Sequence, residues 1–259
     1  MTALFAGLTT LDVLHRLDHV PDPGLKVTST DFTMAAGGPA TNAAVTYAAL
    51  VAAARAHSAD EAEAGSPAPS PSGEAPTLLT ALGEGPVSAF LAADLASAGV
   101  RVLDATAPAP PDHPSAPGER GAAPASSLRE PAVSSIIEHP SGRMVASTNA
   151  PLDADPGRVA AELPERVGVV LIDGHNPALA QAALTLGVPE VGEEDPFARL
   201  ETRPPHLRVL DGGSWKDWLT PLLGFVDIAV VSEDFAPPLL ARADGEQVAG
   251  FLRGFGITR

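Results

Sequence analysis

Short apolar runs alternate along the chain with segments of helical pattern. The apolar runs predict strands at 3–7, 77–82, 167–172, 209–211 and 227–232. The helical segments are predicted at 41–55, 86–98, 177–186, 215–223 and 247–253, with Pro86 in a first turn and Gly99 as a stop. Strands that alternate with helices indicate right-handed βαβ crossovers and a mainly parallel sheet.

A second pattern differs from this alternation. Two β-prone runs at 133–138 and 143–147 are separated by His139-Pro-Ser-Gly142, which is typical of a hairpin. The segment 27–34 also alternates between apolar and polar residues. These runs predict a small antiparallel sheet, separate from the main one. The predicted architecture is an α/β body with a small β flap.

Two segments interrupt the globular pattern, at 56–76 and 105–131. Both are dominated by Ala, Pro, Ser, Gly and Glu, and such a composition buries too little apolar surface to offset the entropy of ordering. They are predicted to be flexible surface insertions that a protease cuts first. A third stretch, 188–205, holds an acidic run and a Pro204–Pro205 pair and is predicted to be a loop.

Charge and composition exclude several classes of function. The 259 residues include 32 acidic and 16 basic ones, for a net charge of −16, and Lys26 and Lys216 are the two lysines. Such a surface repels nucleic acid. No apolar run is long enough to span a membrane, and no basic cluster precedes the first apolar residues, so we expect a cytoplasmic protein. A phosphorylated cofactor is still compatible, because backbone N–H groups and helix N-termini can bind phosphate.

Candidate chemistry is concentrated near the N-terminus. Gly37 and Gly38 open a helix and let the backbone approach a ligand, and Asn42 at the helix start offers both a donor and an acceptor. Asp12 follows the first strand, where open α/β sheets bind ligands. A carboxylate and a carboxamide at one place suit a ligand with many hydroxyl groups. Taken alone, these residues are equally well explained by a glycine turn and a helix cap.

The order of these residues resembles the N-terminal signature of the ribokinase-like (PfkB) carbohydrate kinases. That order is Gly7-x4-Asp12, then Pro23-Gly24, then Gly37-Gly38-x3-Asn42-x-Ala44. The segment 79–100 resembles another stretch of that family, and 173–174, 210–216 and 226–235 resemble its ketohexokinase-like members. The resemblance therefore covers nearly the whole chain outside the two insertions.

This resemblance implies a doubly wound, mainly parallel sheet flanked by helices. It also implies a small antiparallel lid, drawn from about 12–36 and 133–148, which closes over a sugar, and relatives dimerise through this lid. The expected activity is transfer of phosphate from ATP, with Mg²⁺ bridging the phosphates. By the same resemblance, the sugar contacts are Asp12, Gly37, Gly38 and Asn42, and the nucleotide side holds Asp211, Gly213 and Glu233. For Asp211 a structural role in capping is equally compatible with the sequence.

Two departures from the family pattern matter. The place of its Asn-x-x-Glu box reads Ser232-Glu233-Asp234-Phe235, and its Thr-Gly-Ala-Gly-Asp run, which supplies the catalytic base and an anion hole, does not occur. We therefore expect a kinase domain without its C-terminal part and with little turnover. The alternatives are a sugar-binding protein derived from a kinase and an unrelated α/β domain with a structural glycine turn.

Overall fold

The computed structural model describes residues 2–22, 24–63, 74–108, 129–148, 152–188, 206–238, 240 and 244–259. In chain order its strands are β1 (Thr2–Ala6), β2 (Thr10–Arg16), β3 (Asp31–Gly37), β4 (Thr77–Thr80), β5 (Arg101–Asp104), β6 (Ala132–His139), β7 (Gly142–Ser147), β8 (Val167–Asp173), β9 (Leu207–Gly212) and β10 (Ile228–Val231). The α-helices are α1 (Pro39–Glu63), α2 (Pro86–Ser97), α3 (Pro177–Leu184) and α4 (Gly245–Arg253), and Pro156–Glu162 and Asp217–Phe225 form 3₁₀ helices.

The main sheet has six strands in the order β10-β9-β8-β1-β4-β5, and every pair is parallel. All five residues of β1 are buried, because helices cover both faces of the sheet. Leu4 points into a core shared with α3, whereas Phe5 points into a core shared with α1. This arrangement confirms the predicted α/β fold with a doubly wound parallel sheet.

Strand β1 lies where the sheet changes direction. The chain first adds β4 and β5 on one side of β1, and then returns to add β8, β9 and β10 on the other side. In open α/β sheets, ligands bind outside the carboxyl ends of the strands at such a switch point. The residues that follow β1, β8 and β9 are therefore the natural place to look for a site.

The second sheet has the order β3-β2-β6-β7 and is mixed. The prediction of an antiparallel sheet holds for β2–β3 and β6–β7, but it is wrong for β2–β6, which are parallel. The reason is that β2 follows β1 and β6 follows β5, so both leave the same carboxyl edge of the main sheet and run outward together. The third predicted run, 27–34, begins too early, since β3 starts at Asp31.

Helix α1 ends later than its sequence pattern indicated. It continues to Glu63, so residues 56–63 are helical and the first predicted insertion does not begin at Ala56. Alanine and glutamate in this stretch are strong helix formers, which explains why the helix extends into it. The rest of that insertion up to residue 73, residues 109–128 of the second and 189–205 of the predicted loop lie outside the described residues.

Candidate functional site

A buried carboxylate holds the carboxyl edge of the main sheet together. Asp173, the last residue of β8, is 1% exposed. Its Oδ2 accepts hydrogen bonds from the N–H groups of Leu8 (2.8 Å) and Ala40 (3.2 Å), and its Oδ1 accepts one from the N–H of His175 (3.0 Å). Burial raises the pKa of Asp173, while His175 and the three N–H donors act in the opposite direction. Asp173 thus joins the end of β1, the start of α1 and the end of β8.

Two glycines make room for the carboxylates of this region. A Cβ atom on Gly7 would lie 2.2 Å from the Asp173 carboxylate, and one on Gly37 would lie 2.1 Å from Oδ2 of Asp12. Real Cβ atoms do not approach other atoms so closely. The backbone of both glycines therefore forms a wall against which a carboxylate rests.

Asp12, Gly37 and Gly38, three of the residues predicted to contact a sugar, lie together at the base of the second sheet. Asp12 is half-buried on β2, and its Oδ1 accepts a hydrogen bond from the Thr10 hydroxyl (2.8 Å). Thr10 pairs with Gly37 across β2 and β3, which places Asp12 and Gly37 on the same face of the sheet. Gly38 follows with φ 103°, and a Cβ there would lie 2.3 Å from the carbonyl oxygen of Leu8.

Asn42 lies one helical turn beyond this group. Its N–H donates to the carbonyl oxygen of Gly38 (2.8 Å), and its side chain is exposed. The side-chain amide of Asn42 is therefore accessible to a ligand, and the backbone of α1 links this residue to the Gly37–Gly38 turn.

Three buried threonines beneath the turn were not predicted from the sequence. The Thr9 hydroxyl lies 2.8 Å from that of Thr41 and 2.9 Å from that of Thr80. Thr41 also donates to the carbonyl oxygen of Leu8, and Thr80 donates to that of Gly7. This network fixes the loop after β1 from below. The available signal was the position of Thr9 and Thr80 at strand ends and of Thr41 in the first turn of α1.

The residues proposed for the nucleotide side lie on the other side of Asp173. Asp211 on β9 is the register partner of Asp173, and burial raises its pKa while His175 opposes that shift. The carbonyl oxygen of Gly213 accepts a hydrogen bond from the Ser232 hydroxyl (2.8 Å), which connects the ends of β9 and β10. Glu233 is exposed next to Ser232. The structure therefore brings Asp211, Gly213 and Glu233 to one edge, apart from Asp12.

A cleft of about 650 Å³ opens beside β10, between this strand and α4. The apolar part of its lining includes Val231, Val248 and Leu252. The charged lining residues are Glu233, Asp244, Arg253 and Arg259. Ligand pockets commonly measure about 300–1,000 Å³ and combine an apolar lining with a few polar groups. The size and lining of the cleft suit a ligand as large as a nucleotide.

Lys216 and His175 were also not assigned to the site from the sequence. Both follow strands at the same edge, His175 after β8 and Lys216 after β9. The signal for Lys216 was its place shortly after a predicted strand in a chain with two lysines.

Within the described ranges, no group of three or more His, Asp or Glu is arranged to hold a metal ion. The same ranges contain no helix that is both long and apolar enough to cross a membrane.

No family model and no curated protein matches the chain. Its structure is similar to that of an Agrobacterium tumefaciens protein with a provisional ribokinase name, with a TM-score of 0.60 and 21% identity. That match covers 98% of this chain and 66% of the other. A microbiome-derived acarbose kinase matches with a TM-score of 0.59 and 15% identity, over 98% of this chain and 66% of its own.

The ribokinase of Arabidopsis thaliana, solved with ribose and ATP, matches with a TM-score of 0.52 and 13% identity, over 99% of this chain and 69% of its own. This chain thus spans about two thirds of the length of these structures. At these identities the likeness establishes the fold. The resemblance of the sequence to the ribokinase-like kinases is confirmed at that level.

Proposed function

We propose that this chain, whose fold is that of the ribokinase-like carbohydrate kinases, binds a sugar or sugar-like alcohol and phosphorylates it with ATP. The observation that carries the proposal is the Asp12 carboxylate, which rests against Gly37 beside the positive-φ turn at Gly38. Gly37 and Gly38 lead directly into α1, and β2, which carries Asp12, follows β1, the strand at the switch point of the main sheet.

The chemistry at this place suits a sugar. A sugar hydroxyl both donates and accepts hydrogen bonds, and Asp12 can accept while the Asn42 amide can do either. One oxygen of Asp12 already accepts from Thr10, which orients the carboxylate before a ligand arrives. Such preorganisation lowers the entropic cost of binding.

On the nucleotide side, ATP is supported by the cleft beside β10 and by the Arabidopsis relative that was solved with ribose and ATP. We assign Asp211, Gly213 and Glu233 to this side. Mg²⁺ is usually held by one or two carboxylates together with substrate phosphates, so an edge with Asp211 and Glu233 fits this ion without a preformed cluster. In this assignment Asp211 and Glu233 would help to hold a bound Mg²⁺, which would supply positive charge beside the phosphates.

The proton of the attacking hydroxyl needs an acceptor. Asp173 is a poor candidate, because three backbone N–H groups already occupy its oxygens. The family's Gly-Ala-Gly-Asp run does not occur in these residues. The occupied oxygens of Asp173 favour a second candidate function, sugar binding without turnover. The two functions are distinguished by incubating the chain with ATP, Mg²⁺ and a sugar panel: a sugar phosphate detected by mass spectrometry supports the kinase, and sugar binding without product supports the second function.

The surface suggests further proposals about partners. Phe32 and Met144 are more than half exposed and lie in the same row across the second sheet, together with His15 and Ile137. This apolar row supports a homodimer through the second sheet.

The net charge of −16 supports the absence of a nucleic-acid partner, and a cytoplasmic location is part of the same proposal.

Replacement of Asp12 by alanine is expected to weaken sugar binding by roughly tenfold to a hundredfold, because a hydrogen bond to a charged group is worth about 1.5–3 kcal/mol. Asn42→Ala should have a smaller effect, because the amide is neutral. Calorimetric titration of both variants with a panel of sugars measures these changes.

The matched control is Asp22→Ala, which removes an exposed carboxylate from the connection between β2 and β3. It should leave both sugar affinity and the melting temperature unchanged. If Asp12→Ala bound a sugar as tightly as the parent chain does, Asp12 would not belong to the site.

A further inference from the structure

Lys216 lies at the carboxyl edge of the main sheet, shortly after the end of β9 at Gly212. Its Cγ lies 3.9 Å from the place that a Cβ on Gly174, the residue after Asp173, would occupy, so the Lys216 side chain passes close to Gly174. Its Nζ donates to the hydroxyl of Ser214 (2.6 Å). The side chain is half-buried, and its hydrogen bond to Ser214 orients the ammonium group.

The charges around Lys216 are mostly negative. In the segments directly after β8, β9 and β10, at 174–176, 213–216 and 232–235, Lys216 and His175 are the basic residues, whereas Glu233 and Asp234 are acidic; Arg253 and Arg259 lie farther along the chain, in the lining of the cleft beside β10. The nearby Asp217 carboxylate accepts a hydrogen bond from the indole N–H of Trp215 (3.0 Å). In the described part of the chain, no carboxylate lies within ion-pair distance of the Lys216 ammonium. An ammonium has three donors, and its bond to Ser214 uses one.

We propose that the Lys216 ammonium contacts the polyphosphate of a nucleoside triphosphate. This inference rests on the proposed function and adds a residue to it. Gly174 lies directly after Asp173, which bonds to Leu8 and Ala40 on the sugar side, while Asp211 and the β10 cleft lie on the other side. In this proposal the phosphoryl group passes from nucleotide to sugar near Gly174, and the ammonium of Lys216 is oriented beside it by Ser214.

A local cation has a clear physical role in this chain. A polyphosphate with three or four negative charges is repelled by a protein of net charge −16. A lysine ammonium is a compact point charge that binds phosphate oxygens through charge-assisted hydrogen bonds. The hydroxyl of Ser214 holds this ammonium in place before the nucleotide binds, so little side-chain entropy is lost on binding.

Calorimetric titration of Lys216→Met with ATP and Mg²⁺ tests the proposal. We expect ATP to bind roughly tenfold to a hundredfold more weakly than to the parent chain, with sugar affinity and melting temperature unchanged. Lys216→Arg keeps the charge and should recover most of the affinity. The matched control is Lys26→Met, since it removes the other lysine of the chain from an exposed position and changes the net charge equally. A general electrostatic effect would weaken ATP binding in both methionine variants and would overturn the assignment to Lys216.

Titration with inorganic tripolyphosphate separates this inference from the proposed function. Tripolyphosphate binding that depends on Lys216 in a chain that binds no sugar would support the phosphate contact and overturn the sugar kinase. Sugar binding that depends on Asp12, together with polyphosphate affinity unchanged in Lys216→Met, would support the sugar site and overturn the phosphate contact of Lys216. If the parent chain bound neither ATP nor tripolyphosphate, the role of Lys216 would be refuted whatever the sugar result.

Discussion

Replacement of Asp173 by alanine should lower the free energy of unfolding by at least about 3 kcal/mol, because it leaves the N–H groups of Leu8, Ala40 and His175 without their acceptor. An unsatisfied buried N–H costs about 1–3 kcal/mol, and single domains are stable by only about 5–15 kcal/mol. Removal of a buried carboxylate whose pKa is raised offsets part of this loss. Urea unfolding followed by circular dichroism measures the difference.

Asp173→Asn separates hydrogen bonding from charge. The amide oxygen can still accept from Leu8 and Ala40, but the NH₂ group cannot accept from His175. This variant should therefore lose less stability than Asp173→Ala. If both variants were as stable as Asp22→Ala, whose carboxylate is exposed, Asp173 would not hold the edge together.

The second large effect is expected for Gly38→Ala. The positive φ of 103° strains any L-residue, which costs about 1–3 kcal/mol. The new Cβ would also lie 2.3 Å from the carbonyl oxygen of Leu8, and overpacking of this kind costs about 1–3 kcal/mol more. Because the backbone of Leu8 and Gly38 forms part of the proposed site, we expect sugar binding to be lost together with stability.

Gly187→Ala is a matched control for this change. Gly187 also has a positive φ, of 73°, but nothing lies within 4 Å of a Cβ at that position. This variant should show the conformational cost of about 1 kcal/mol and no loss of sugar binding. Equal destabilisation by the two alanines would mean that the contact with Leu8 contributes nothing to the effect of Gly38→Ala.

The main sheet was predictable because strands buried on both faces are continuous apolar runs. Val167–Asp173 is such a run. The end of α2 was predictable for another reason, because Gly99, with φ 76°, follows this helix and stops it. The parallel pairing of β2 with β6 was not predictable in the same way. A hairpin signal reports only on neighbours in sequence, whereas the direction of β6 relative to β2 depends on where β5 leaves the main sheet.

The candidate site, like the fold, was predictable from the sequence only in part. The sequence indicated Asp12 and the Gly37–Gly38 turn, because a glycine pair at the start of a helix allows a tight turn and close approach of the backbone to a ligand. It did not indicate that Asp173 is the structural centre of the edge. The role of Asp173 comes from hydrogen bonds to residues more than 130 positions earlier in the chain, and no local pattern encodes such contacts.

The register of Thr10 has a consequence for synthesis of the protein. Thr10 pairs with Gly37 on one side and with Ala132, about 120 residues later in the chain, on the other. A ribosome adds about 5–20 residues per second, so β2 waits roughly 6–24 s for its second neighbour. During that time the β2–β3 hairpin has an open edge that can pair with another nascent chain. We therefore expect the yield of folded protein to depend on elongation rate and chaperone supply more than on the strength of the contacts in the finished fold.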